Sequence, residues 1–243
     1  MILPQPQDAM HKAWLYRILS AICDHRWVAD QLAFKGGTSA AMRGYLDRFS
    51  VDLDFDLIKP VANMDDFRRE LESIFTHLDL SIKDSSSKTP QYFLAYPQFS
   101  KMRGIRNTVK IDITHPPPLA NVYEKVRLVE IDKIISCQTL ETMFANKLVA
   151  LIDRFECHAS IAGRDIYDIH HYFTRGFRYH DAVIKERRGI GNLVEFFDQL
   201  IDFINVKVTP TVINQDLNHL LESKKFQVLR KTIKNELLLW PCP

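Results

Sequence analysis

The sequence predicts an α+β fold: a mixed sheet with flanking helices up to about residue 135, then an all-helical region. Three observations predict it. Residues 51–57 and 108–114 alternate apolar and polar side chains, the period of a half-buried strand. Beyond Thr139, Leu140, Met143, Phe144, Leu148, Leu151, Ile152 and Phe155 recur at helical period and form one apolar stripe. The composition, 46% hydrophobic and 26% charged over 243 residues, is that of an ordinary globular chain long enough to bury a core. The expected domains are residues 1–135 and residues 136–243.

The elements follow in order. Residues 8–26 read as a helix, carried by Trp14, Leu15, Ile18, Leu19 and Ile22. Phe34 leads into Lys35-Gly36-Gly37-Thr38, a glycine turn followed by a short helical stretch over 39–43. After the strand at 51–57, residues 63–78 suit a helix with Asn63 as its N-cap. Residues 84–88 read as a polar loop. Strands are expected at 91–96 and 108–114, with a basic turn around Lys101 and Arg103 between them. Pro116 to Pro118 closes the strand region, because proline supplies no ladder donor. Helices follow the apolar stripe, at 164–172 and from about 180 onward. Phe226, Leu229, Ile233 and Leu237 mark the last of them.

Several classes are excluded. The longest apolar runs, such as 148–152, fall far short of the ~20 residues a membrane-spanning helix needs. Residues 1–10 hold no apolar stretch of the signal-peptide kind, so a cytoplasmic location and no membrane partner are expected. The 4 cysteines form no C-x-x-C pair and are expected as free thiols. A net charge of +2 makes no electrostatic case for nucleic acid, although basic residues are in mild excess after Arg175. His115, His170 and His171 fit no soft-metal spacing and read as ordinary hydrogen-bonded histidines. Tyr92, Phe93, Tyr96 and Phe99 read as packing residues.

The chemistry concentrates on carboxylates. Asp52, Asp54 and Asp56 lie two apart, so on a strand they share one face while Val51, Leu53, Phe55 and Leu57 turn to the core. Clustered negative charge calls for a counter-charge, and a hard divalent cation such as Mg²⁺ suits carboxylate oxygens. A solvated strand face is the alternative. Asp112 repeats the logic on its own strand, flanked by inward Val109, Ile111 and Ile113. Beside the first pair it would complete a metal site able to activate an oxygen nucleophile. Gly36 and Gly37 before a short helix allow close approach to a phosphate, or make only a turn. Lys147 sits on an apolar stripe, where it either snorkels to solvent or meets a partner. Arg154 lies two turns further along the same face, and Asp165 and Asp168 share a face of the next helix.

Taken together, Lys35-Gly36-Gly37-Thr38 and Arg48-Phe49-Ser50-Val51-Asp52-Leu53-Asp54-Phe55 resemble the K-G-G-T … R-x-S-x-D-L-D-F signature of the AbiEii-type nucleotidyltransferase toxins, to which the MenT toxins are related. Lys147 to Arg154 matches the family's K-x-x-A-x-x-x-R. The segment 164–169 is similar to its R-x-x-D-x-x-D segment, but with Arg164 directly before Asp165, so either Asp165 or Asp168 could be the functional carboxylate. The matches run from about residue 35 to 169.

The resemblance implies a polymerase-β-like nucleotidyltransferase core followed by a helical C-terminal region. It implies transfer of NMP from an NTP to an acceptor hydroxyl, with Mg²⁺ or Mn²⁺ held by Asp52, Asp54 and Asp112. Lys35, Gly36, Gly37, Thr38, Arg48, Ser50, Lys147 and Arg154 would serve the nucleotide. Lys147 and Asp165 join the carboxylates as catalytic residues, with Asp168 in support. The implied acceptor is RNA, a tRNA 3′ end; Lys101, Arg103 and Arg106, with the basic residues near Arg187 and Arg188, could contact its backbone. The implied partner is a cognate antitoxin. A small-molecule or protein acceptor, or a module that only binds nucleotide, stays open at this point.

Overall fold

The computed structural model describes residues 3, 5–6, 8–97 and 106–240. Lys101, Arg103, Phe99 and Cys242 lie outside the described residues. The chain divides into two compact units, one of residues 1–117 and 123–138, the other of residues 118–122 and 139–243.

The first unit is built on a seven-stranded mixed sheet. Its strands are β1 (Leu32–Lys35), β2 (Asp52–Leu57), β3 (Ser81–Ser86), β4 (Gln91–Ala95), β5 (Thr108–Thr114), β6 (Tyr123–Leu128) and β7 (Lys133–Gln138), in the spatial order β3-β4-β5-β2-β1-β7-β6. β2 pairs antiparallel with β1 and parallel with β5, so it lies at the centre. Its helices are α1 (Asp8–Asp24), α2 (Arg26–Ala29), α3 (Gly36–Met42) and α4 (Met64–His77). Trp14, Leu15, Ile18, Leu19 and Ile22 of α1 and Phe67, Leu71, Ile74 and Phe75 of α4 are buried in one core with Phe34, Leu53, Phe55, Ile111 and Ile113. That burial explains the alternation in β2 and β5: one face of each strand is covered, and the other is free to carry polar groups. Asn63 caps α4 as expected, its Oδ1 accepting from Asp65 N at 2.9 Å.

Four expectations are corrected here. The polar stretch 84–88 is not all loop, because residues up to Ser86 belong to β3. This edge strand is almost wholly exposed and carries no apolar alternation, so backbone pairing with β4 alone makes it a strand. Strands do not end at the prolines: β6 and β7 follow as an antiparallel pair, with β7 joining β1 in parallel. The short helix begins at Gly36 itself, not at 39, and the first helix stops at Asp24.

The second unit is helical: α5 (Leu140–His158), α6 (Gly163–Thr174), α7 (Asp181–Arg188), α8 (Leu193–Lys207), α9 (Pro210–Leu217) and α10 (Ser223–Leu238). Thr139, Asn192 and Thr209 cap α5, α8 and α9 with side-chain oxygens. Phe144 centres an aromatic cluster with Tyr172, Phe173 and Tyr179. His170 pairs with Glu236 at 2.5 Å, and His171 stacks on Tyr167. Among the described residues, Cys23, Cys137 and Cys157 are free, and no helix is long and apolar enough to cross a membrane.

Candidate active site

β2 presents Asp52, Asp54 and Asp56 on one face. Its register with β5 places Asp112 beside Asp54 and Lys110 beside Asp52, and its register with β1 places Lys35 beside Asp54. The three aspartates of β2 then part company. Asp56 is fully buried and satisfied: Lys35 Nζ donates to its Oδ1 at 2.6 Å, and Tyr123 Oη and Gln138 Nε2 donate to its Oδ2 at 2.9 and 2.6 Å. Lys35 also donates to Thr114 Oγ1 at 2.5 Å, so its ammonium ties β1 to β2 and β5. Asp52 and Asp54 are half-buried.

The glycine turn closes on the same strand. Gly36 has φ +74, and a Cβ there would collide with the carboxylate of Asp54. A Cβ on Gly37 would lie 2.6 Å from the Arg48 guanidinium and 3.0 Å from Ser50 Oγ. Only glycine permits this approach. Thr38 is fully buried, and its hydroxyl donates to the Asp52 main-chain oxygen and meets Ser50 Oγ at 2.9 Å. Arg48, 2% exposed, donates to Phe49 O at 2.8 Å. Thr38, Arg48 and Ser50 thus form a buried support behind the turn, and Gly36 and Gly37 lie against the carboxylate strand. Lys35 contributes no side-chain cap to α3.

One supporting residue escapes sequence reasoning. His11, on α1 and 1% exposed, donates from Nε2 to Val51 O at 2.9 Å, while Tyr96 Oη donates to its Nδ1. Tyr96 stacks on Trp14 with ring centroids 5.2 Å apart. His11 therefore fixes the backbone one residue before Asp52. Burial, opposed by the Val51 hydrogen bond and aided by the Arg106 charge, pulls its pKa from 6.5 down to about 4. A folded pKa below the unfolded one means that the neutral ring's stabilisation is complete above about pH 6.5 and is lost as pH falls through 4. His11→Ala is expected to cost about 1–3 kcal/mol, the penalty for leaving a buried acceptor unpaired, in urea unfolding at pH 7. The difference from the unsubstituted protein should shrink towards pH 4. A difference that holds steady across that range would refute the role.

The second unit holds its own charged cluster. Lys147 Nζ lies 2.7 Å from Asp165 Oδ1 and 3.0 Å from Asp168 Oδ2, and Arg154 Nε lies 3.3 Å from Asp165 Oδ2. Both aspartates are fully buried. Burial alone would raise the Asp165 carboxyl. The charges of Lys147 and Arg154, the Lys147 hydrogen bond and Arg164 outweigh it and bring the pKa down from 3.8 to about 2. Lys147 is thus a partnered lysine, not a snorkelling one. Arg187 and Arg188, expected as backbone contacts for RNA, are committed within the unit. Arg187 pairs with Asp153 at 2.6 Å, and Arg188 pairs with Asp153 at 2.8 Å and Glu156 at 2.9 Å. Arg106 alone of the expected basic turn residues is described, and it is exposed.

A family model described as "Nucleotidyl transferase AbiEii toxin, Type IV TA system" matches residues 17–234. The chain belongs to the AbiEii nucleotidyltransferase toxin family. A crystal structure of a candidate nucleotidyltransferase from H. pylori is similar to this AbiEii-family chain with a TM-score of 0.56 at 18% identity, covering 96% of each chain. The crystal structure of JHP933 from Helicobacter pylori is similar with a TM-score of 0.54 at 19% identity, covering 98% of this chain and 94% of that one. A search of curated proteins returns no match. The AbiEii-family chain is accordingly a nucleotidyltransferase of a type IV toxin–antitoxin family, with the mixed sheet and helical C-terminal region of its structural neighbours.

Such transferases usually employ a divalent cation, and the donor set suits one. Asp52, Asp54 and Asp112 offer hard carboxylate oxygens from neighbouring positions of two paired strands, without sulfur or imidazole. The set is not drawn together: among the described residues no group of three or more His, Cys, Asp or Glu side chains is gathered to hold a metal. Asp112 Oδ2 accepts from Lys110 Nζ of its own strand at 2.5 Å and from Gln91 Nε2 of β4, the strand on the side away from β2, at 3.0 Å.

Proposed function

We propose that this toxin transfers NMP from an NTP to the 3′-terminal hydroxyl of an RNA, a tRNA being the leading acceptor. The observation that supports the reading is the meeting of the Gly36-Gly37 turn with the half-buried pair Asp52 and Asp54, beside Asp112. Asp52 and Asp54 would hold Mg²⁺ or Mn²⁺, with Asp112 joining them. A cation there supplies charge neutralisation at the triphosphate. The backbone of Gly36 and Gly37 lies against the outer phosphates. Asp112 receives the proton of the acceptor hydroxyl as its oxygen bonds to the α-phosphorus and the bond to pyrophosphate breaks. The work is positioning and electrostatics, the main demand of such transfer. Lys147, held by Asp165 and Asp168, is assigned to the nucleotide phosphates on its sequence motif. A cognate antitoxin is the expected protein partner.

The test is transfer of label from each of the four α-³²P NTPs to total tRNA, with Mg²⁺ or Mn²⁺ present. Label on RNA is expected from one or more NTPs, and the acceptor affinity should fall steeply with salt, as phosphate contacts require. NTP turnover onto a small hydroxylated molecule, with none onto RNA, would replace the acceptor. NTP binding without transfer to any acceptor would overturn the enzymatic reading.

A further inference from the structure

The face that carries Asp52 and Asp54 also carries two lysines, and each is paired with a carboxylate. Lys35 is paired with the buried Asp56 and has a structural task already. Lys110 is different. It and Asp112 are both only partly buried, with 29% and 31% of their side chains exposed, and they lie two apart on β5 so that they point to the same face. Lys110 sits in register with Asp52, and Asp112 with Asp54. The ammonium is therefore bound to one of the three carboxylates that a divalent cation would need, on the strand next to the other two. It holds Asp112 Oδ2 together with Gln91, on the side of β4.

We propose that Lys110 is a built-in competitor of the divalent cation. In the metal-free protein its ammonium neutralises Asp112 and keeps it from the β2 pair. When a cation is bound, Asp112 exchanges Lys110 for it, and the released ammonium is left on the same face to meet the negative charge of the triphosphate. A lysine–aspartate pair about a third exposed is weak enough for such an exchange. The consequence is a site that binds its cation poorly alone and well with nucleotide. The inference rests on the reading that Asp52 and Asp54 hold the cation.

The test is a Mn²⁺ titration of the full chain followed by electron paramagnetic resonance, without nucleotide. Lys110→Met should bind Mn²⁺ about two- to fivefold more tightly than the unsubstituted protein, the fold-change that removing a pair of this kind allows. Lys110→Arg keeps the charge and should stay near the original affinity, which also guards against misfolding of a single variant. The deciding comparison is made in an Asp112→Asn background. There the Lys110→Met gain should vanish, since the lysine then has no carboxylate to withhold. An equal gain in that background would mean that Lys110 acts only through bulk charge, and the proposal would fall. No gain, or weaker binding, in the single variant would overturn it as well. Asp54→Asn separates the underlying reading: if it leaves Mn²⁺ binding unchanged, β2 is not the metal strand and both readings fall. If it abolishes binding while Lys110→Met changes nothing, only the competitor role is lost.

Discussion

Asp54→Ala should lower nucleotide transfer at least a hundredfold while leaving the folded chain intact. Losing one preorganised charge-stabilising group costs about 10²–10³ in turnover, and Asp54 is the carboxylate against which Gly36 closes. Stability should change far less than on removal of a fully buried carboxylate, because Asp54 is only half-buried. The contrast with Asp56→Ala makes the prediction sharp. Asp56 shares the strand and the face, yet it is fully buried and accepts from Lys35, Tyr123 and Gln138. Removing it strands an ammonium and two neutral donors, which should cost about 3–5 kcal/mol. Urea unfolding and the transfer assay, run on both variants, give two readouts each. Turnover by Asp54→Ala at the original rate would remove Asp54 from the chemistry. Unfolding of Asp54→Ala at the midpoint of Asp56→Ala would make it a structural residue instead.

That division between Asp54 and Asp56 marks where sequence reading stops. Alternation in β2 and β5 was legible because α1 and α4 cover one face of each strand, and burial leaves a period of two. The shared face of the aspartates followed from the same period. Their partners did not. Tyr123 and Gln138 reach Asp56 from 67 and 82 positions along the chain, on strands that the sequence did not announce. β6 is an edge strand with exposed Glu124, Lys125 and Arg127, and β3 is an edge strand almost wholly exposed, so neither leaves an apolar signature. His11 stayed hidden for a related reason. Its position fits the buried face of α1, and nothing local says that its ring meets Val51 and Tyr96. In the second unit, the i, i+3 spacing put Asp165 and Asp168 on one face. The family motif named Lys147, and only the packing of α5 on α6 made them a cluster. The packing of α7 on α5 committed Arg187 and Arg188 to Asp153 and Glu156, which a count of basic residues cannot reveal.

The Lys147 cluster yields the other large effect. Asp165→Asn keeps the shape of the side chain and removes its charge, taking a buried carboxylate from Arg154 and one of the two aspartates from Lys147. Breaking a buried pair from one side costs about 3–5 kcal/mol, and Asp168 should hold the loss near the lower end. The pH dependence carries the more specific signature. The folded carboxyl of Asp165 lies at about 2 against an ordinary 3.8. A depressed folded pKa means that its contribution is present in full above about pH 4 and is lost as pH falls through 2. The titrating part amounts to about 2 kcal/mol. Urea unfolding of both proteins between pH 6 and pH 2 should show a gap that is constant down to about pH 4 and narrows below it. His11 also loses its stabilisation on acidification, but it is common to both proteins and cancels in the difference. A gap that stays constant to pH 2 would mean that Asp165 is held by shape and not by its charge. Lys147 would then owe its position to Asp168, and Asp168 would become the carboxylate through which its motif acts.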